Sequence, residues 1–215
     1  YRVLRRVGLG HRRAATTVRS ALVNRRKEWE AIEQAFHSME RGRGGIVFLI
    51  GDAGLGKTRL LDEAIERLLS ELSVESRLYS AAAVSYEASL PFGLLLRLMR
   101  PPLGLMPDDP PALIRERITA AVVDEDDRLA LETLFGVAAG TANAHEIVGE
   151  QFTRQLTACL DRFWRAQAAG PLVIVLDELQ WLDSSSADRL APLFALTEDT
   201  PLLFFDDFET GTLHA

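Results

Sequence analysis

The sequence predicts a three-layer α/β fold on a mainly parallel sheet, and three observations carry that prediction. Apolar runs at Ile46–Ile50, Leu172–Leu176 and Leu202–Phe205 are unbroken rather than alternating, as in strands buried on both faces. The segments between them place apolar residues at steps of three and four, the period of a helix with one buried face. A glycine-rich stretch joins the first run to one such helix, so strands and helices alternate along the chain.

Composition narrows the class. The 215 residues are 47% hydrophobic, 26% charged and 7% aromatic, enough apolar material for one sizeable core. Disordered, collagen-like and disulfide-scaffold classes are excluded, and the lone Cys fits a reducing, cytoplasmic setting. The longest apolar stretches are five residues, against roughly twenty needed to span a bilayer, so no membrane partner is expected. The amino end is arginine-rich but has no apolar run after Arg12-Arg13, so no export signal is expected. Because the chain starts at Tyr1, it is expected to be a piece of a longer or processed protein.

Charge is uneven. The net charge is −7, yet residues 1–30 carry nine basic side chains and two acidic ones. Without interleaved aromatics this arm reads as a solvated linker over 1–21, and no direct nucleic-acid site is expected in the segment. The remainder, 22–215, reads as one domain.

Its elements follow in order. Trp29, Ile32, Phe36 and Met39 mark one face of a helix, stopped by Arg41–Gly45. The strand Ile46–Ile50 comes next, expected to be buried on both faces, then a glycine loop and a helix from Thr58 to about Leu72. A second strand is expected over Val74–Ala82, with helices over Leu94–Met99, over Pro110–Val123 behind an Asp109 cap, and over Asp126–Ala139. Val148, Phe152, Leu156, Cys159, Leu160 and Phe163 form one stripe of a further helix, which makes Cys159 a buried thiol rather than a reactive one. Strands at Leu172–Leu176 and Leu202–Phe205 flank a helix over Ser184–Leu196, with Asp183 as its N-cap. Trp181 reads as a packing residue. The histidines at 11, 37, 145 and 214 have no metal-ligand spacing, so no zinc site is expected.

The chemistry lies in Gly51-Asp52-Ala53-Gly54-Leu55-Gly56-Lys57-Thr58, which fits G-x-x-x-x-G-K-[ST] at every fixed position. At average residue frequencies such a match arises in roughly one chain of this length per hundred, and the strand before it and helix after it make chance rarer still. Glycines let the backbone curl so that successive N–H groups share one concavity, and the helix that follows adds its positive dipole end. An ordinary strand-to-helix turn explains the glycines but not a lysine at a helix start, where a cation opposes the dipole. With only two lysines in the chain, Lys27 and Lys57, this one implies an anion. Lys57 is expected to reach the β- and γ-phosphates and Thr58 to place its hydroxyl on Mg²⁺, with Arg59 next to them on the same helix.

A second constellation closes the third strand. A carboxylate at the carboxyl end of a buried strand lands on the same sheet edge as the glycine loop. Asp177 is therefore expected to bind Mg²⁺ and Glu178 to orient or deprotonate an attacking water.

With both sites in view, the sequence resembles the signal-transduction ATPases with numerous domains, and more narrowly the AAA-type P-loop module of LuxR-type regulators and of proteins carrying class III nucleotidyl cyclase domains. Leu22-Val23-Asn24-Arg25 resembles that family's L-V-G-R motif, with Asn24 in place of glycine and Arg26 in place of an acidic residue. Leu90-Pro91-Phe92-Gly93 resembles its L-P-F/Y segment, and Tyr1-Arg2-Val3-Leu4 its cyclase-exit linker. The resemblance implies an ATP- and Mg²⁺-operated switch in which ADP favours another domain arrangement and slow hydrolysis resets it. It places Arg25 near the base or ribose. It also implies partner domains on the same polypeptide, a cyclase upstream and helical repeats or a helix-turn-helix downstream. The family's fifth strand and helical lid are expected to be missing from this segment. Its γ-phosphate sensor after the fourth strand is replaced by the acidic Phe205–Glu209, with Thr210 displaced. The competing readings are a DNA-associated AAA ATPase, a small-molecule kinase, which Glu178 disfavours, and a degenerate nucleotide-binding fragment without turnover.

Overall fold

The computed structural model describes residues 25–52, 54–71, 76–138 and 149–209. The expected linker 1–21 and Leu22, Val23, Asn24, Ala53, Val148 and Thr210 lie outside the described residues.

Four parallel strands, β1 (Gly45–Gly51), β2 (Arg77–Ala82), β3 (Leu172–Asp177) and β4 (Leu202–Glu209), form one sheet in the order β1-β4-β3-β2. Helices α1 (Arg26–Glu40) and α2 (Lys57–Glu71) cover one face. Helices α3 (Gly93–Met99), α4 (Pro111–Ala121), α5 (Glu125–Leu134), α6 (Glu150–Gln167) and α7 (Ser184–Ala195) belong to the opposite side. Strand residues alternate between the two cores. Val173, Val175, Leu203 and Phe205 pack with Ile32, Phe36, Met39 and the apolar stripe of α2. Leu172, Ile174, Leu176, Leu202 and Phe204 pack with α3, α5, α6 and α7. This is the expected three-layer α/β arrangement, and it explains why Leu172–Leu176 of β3 and Leu202–Phe205 of β4 are apolar at every position.

Several boundaries and environments differ from the sequence reading, each for a local reason. Strand β1 pairs only with β4 among the described residues, so it is an edge strand rather than one covered on both faces. Leu49 is buried beneath the α1–α2 layer, but Phe48 and Ile50 on the other face are 53% and 66% exposed. Strand β2 starts at Arg77, with Ser76 outside it and Val74 outside the described residues, and β4 runs on through the acidic residues to Glu209. Parallel pairing with both neighbours, Phe48 opposite Asp206 and Leu176 opposite the same residue, carries that extension.

Helix α4 is not capped by Asp109. Pro110 occupies the N-cap with Pro111 as the first helical residue, while Asp109 accepts the N–H of Met106 at 2.8 Å and closes the preceding turn. Helix α5 stops at Leu134 because Gly136 takes φ of +68°, with the Gly136 and Val137 N–H groups returned to Thr133 and Glu132. Its N-cap is Asp124, whose carboxylate accepts the N–H of Asp127 at 3.0 Å. Trp181 is 42% exposed and not packed as expected, because the chain after β3 makes a single tight turn over Leu179–Trp181 in which no residue is buried.

Candidate functional site

The carboxyl end of β1 leads into the glycine loop, and the loop into α2. Gly54 and Gly56 adopt φ of +80° and +76°, a region that L side chains avoid, so the curl itself selects glycine at these two positions. Lys57 is the first residue of α2 and only 7% exposed. Its ammonium donates to the carbonyls of Gly51 at 2.9 Å and Asp52 at 3.2 Å. A cation at a helix start opposes the dipole. These carbonyls are acceptors that stabilise it there. Thr58 and Arg59 follow on the first turn of α2, Thr58 exposed and Arg59 Nε 3.9 Å from Glu63 Oε2.

The loop is also held from outside. Arg25, at the N-cap position of α1, donates from Nη2 to the Leu55 carbonyl at 2.6 Å and from Nη1 to Glu28 at 3.0 Å. The structure thus brings Arg25 to the loop backbone, thirty residues downstream.

Asp177 ends β3, in register between Ala82 of β2 and Asp207 of β4. Its Oδ1 accepts the Glu178 N–H at 3.0 Å. Glu178 turns the chain with φ of +59° and ψ of +33°, one of two non-glycine residues with positive φ among those described. Such conformations cost about 1 kcal/mol or more and cluster where function dictates backbone direction. The Glu178 carboxylate accepts from the Gln180 side-chain amide. All four strands are parallel, so the glycine loop after β1 and the Asp177-Glu178 pair after β3 stand on the same edge of the sheet, with β4 between them.

One contributor was only half legible in the sequence. Asp183 caps α7 as expected, with Oδ1 accepting the Ser186 N–H at 2.8 Å. The same oxygen also accepts the Phe92 N–H at 2.8 Å, and Oδ2 accepts that of Leu94 at 3.4 Å. Thus the turn after Glu178 is tied to the Pro91-Phe92-Gly93 segment at the start of α3. Local spacing signals a cap; it carries no signal for a partner 91 residues away.

The residues present fit a nucleotide–metal group. The loop supplies backbone donors at a helix start with a buried ammonium beside them, and the next-but-one strand supplies a carboxylate at the same edge. Among the described residues no three His, Cys, Asp or Glu side chains form a cage for a metal. Mg²⁺ in phosphate sites is bound through one or two protein groups and otherwise by phosphate and water.

The fold and the loop together define a P-loop α/β module. The chain matches the AAA ATPase domain family over residues 21–205, and it belongs to that family. An uncharacterized protein of Rhizobium meliloti (strain 1021) is 26% identical over 196 residues, covering 85% of this chain and 18% of that protein. Among solved structures, the Aeropyrum pernix Orc1 protein in complex with DNA is similar at 16% identity and a TM-score of 0.46, covering 90% of this chain and 41% of that one. The chain therefore spans less than half the length of each. No helix among the described residues is long and apolar enough to cross a membrane.

Proposed function

We propose that this module binds ATP with Mg²⁺ and hydrolyses it slowly, as the nucleotide switch of a multidomain signalling or transcription regulator in the cytoplasm. The observation that carries the reading is the ammonium of Lys57, buried at the start of α2 and resting on the carbonyls of Gly51 and Asp52. An anion entering the loop gives this cation a stronger partner than a neutral carbonyl, because opposite full charges at hydrogen-bond distance attract each other more than a charge and a dipole do.

The backbone of Gly51, Asp52, Ala53, Gly54, Leu55 and Gly56 would cradle phosphate, with Lys57, Thr58 and Arg59 on the first turn of α2. Thr58 and Asp177 would hold Mg²⁺, which when bound neutralises phosphate charge. Glu178 orients a water and accepts its proton; its left-handed backbone aims the residue away from the line of β3. Placement of ADP and ATP in different domain arrangements requires different binding free energies in each, since equal binding shifts nothing. The partners would be other domains of the same polypeptide, with a nucleotidyl cyclase upstream and helical repeats or a helix-turn-helix downstream.

Thermal unfolding with and without Mg-ATP tests the reading. At about 100 times its dissociation constant, ATP should stabilise the parent by ~2.7 kcal/mol. Lys57→Ala should remove that shift, and a shift unchanged in the variant would refute the assignment of the loop.

A further inference from the structure

Arg25 sits where a helix anchored in the core meets the glycine loop. Helix α1 is anchored to the sheet by Ile32, Phe36 and Met39, all 2% exposed or less. Its first turn is closed by the Trp29 N–H donating to the Arg25 carbonyl at 3.0 Å, and Glu28 fixes the guanidinium through Nη1. The other terminal nitrogen, Nη2, is then delivered to the Leu55 carbonyl.

A trans peptide holds its C=O and the next N–H in one plane and pointing in opposite directions. Fixing the Leu55 oxygen toward Arg25 therefore fixes the Gly56 N–H away from it. Without that contact the Leu55–Gly56 peptide would rotate easily, because Gly56 accepts positive and negative φ about equally and Leu55 is half exposed. Lys57 acts in the same manner on the carbonyls of Gly51 and Asp52. The loop carbonyls are held by two cations, one from within and one from α1.

We infer that Arg25 is a positioning residue that pre-sets the peptide between Leu55 and Gly56 for phosphate, acting through the loop backbone and not through the nucleobase or ribose. This deepens the nucleotide-binding reading and rests on it. A ligand reached through the loop alone is recognised by its polyphosphate, whatever the base attached. Loss of Arg25 thus weakens every polyphosphate by a common factor, since the cost is that of ordering the loop.

Titration calorimetry of the 215-residue chain with Mg-ATP, Mg-GTP and Mg-tripolyphosphate separates the two roles. Arg25→Ala should weaken all three by the same factor, about tenfold for loss of one charge-assisted hydrogen bond. Arg25→Lys, which keeps a cationic donor, should recover most of the loss for all three. A purely structural role would lower the unfolding temperature of the unliganded chain and leave the affinities of the folded protein unchanged. The inference is overturned if Arg25→Ala weakens the nucleotides but not tripolyphosphate, if it changes none of them, or if the parent binds ATP but not tripolyphosphate. A parent that binds neither, and behaves like Lys57→Ala, refutes instead the nucleotide reading itself.

Discussion

The carboxylate of Asp183 accepts the backbone N–H of Phe92 at 2.8 Å while capping α7 through the N–H of Ser186. Phe92 has φ of +63°, and its N–H and that of Leu94 belong to the unpaired donors at the start of α3. One buried side chain thus satisfies two helix starts, and Ser186 Oγ adds an acceptor for the Leu95 N–H at 3.1 Å. Asp183→Ala strands three buried donors and should cost about 3 kcal/mol or more, an unfolding-temperature drop of roughly 6–12 °C. Asp183→Asn keeps one acceptor oxygen and should lose about half as much. Differential scanning calorimetry of both variants checks this, and equal, negligible losses would refute the double-cap role.

Gly44 permits close contact between the start of β1 and the chain entering β4. A Cβ placed there would stand 1.9 Å from the Leu202 carbonyl oxygen, a backbone atom that cannot swing aside. Gly44→Ala should therefore destabilise by about 2 kcal/mol or more, visible as a lower urea midpoint with an unchanged slope. Gly42→Ala, with open space around it but φ of +83°, should cost only the strain of that conformation, about 1 kcal/mol.

Glu178→Gln retains the side-chain shape while removing the charge and the basic oxygen. On the proposed role, Mg-ATP binding should persist and phosphate release should fall by about 100-fold or more. A malachite-green assay beside the thermal-shift titration separates the two, and hydrolysis at the parent rate would exclude Glu178 as the water-activating group.

Cys159 is fully buried on α6, and its thiol is pushed up to about 12, chiefly by burial and next by the Asp127 charge. In the unfolded chain the same thiol titrates near 9.0. The folded state therefore holds its proton over a range where the unfolded state has lost it. This contribution to stability is complete below pH 9 and is lost as the pH rises from there toward about 12. At pH 8 the native protein should resist thiol-specific alkylation, and reactivity should appear only with unfolding in urea. In Cys159→Ala the loss of stability between pH 9 and 11 should be shallower than in the parent.

The sequence alone determined the strand–loop–helix order, the parallel three-layer architecture and the place of the glycine loop between β1 and α2, because all of these are written in local spacing. Apolar periods of three and four specify helices, unbroken apolar runs specify strands, and glycines at 54 and 56 supply the positive φ that the curl needs. Only the tertiary structure decided what depends on residues far apart in the chain. Phe48 and Ile50 are as apolar as Leu49, yet they are exposed, since an apolar run does not record which faces and edges receive neighbours. Asp183 signals a cap by its position before Ser184, but its bonds to α3 arise from packing of α3 against α7. Arg25 belongs to a motif visible in the sequence, and its hold on the Leu55 carbonyl follows from the packing of α1 in the core shared with α2. Local preferences act through the backbone over a few residues, whereas these contacts come from burying apolar surface between whole elements, which is non-directional and visible only once the layers are assembled.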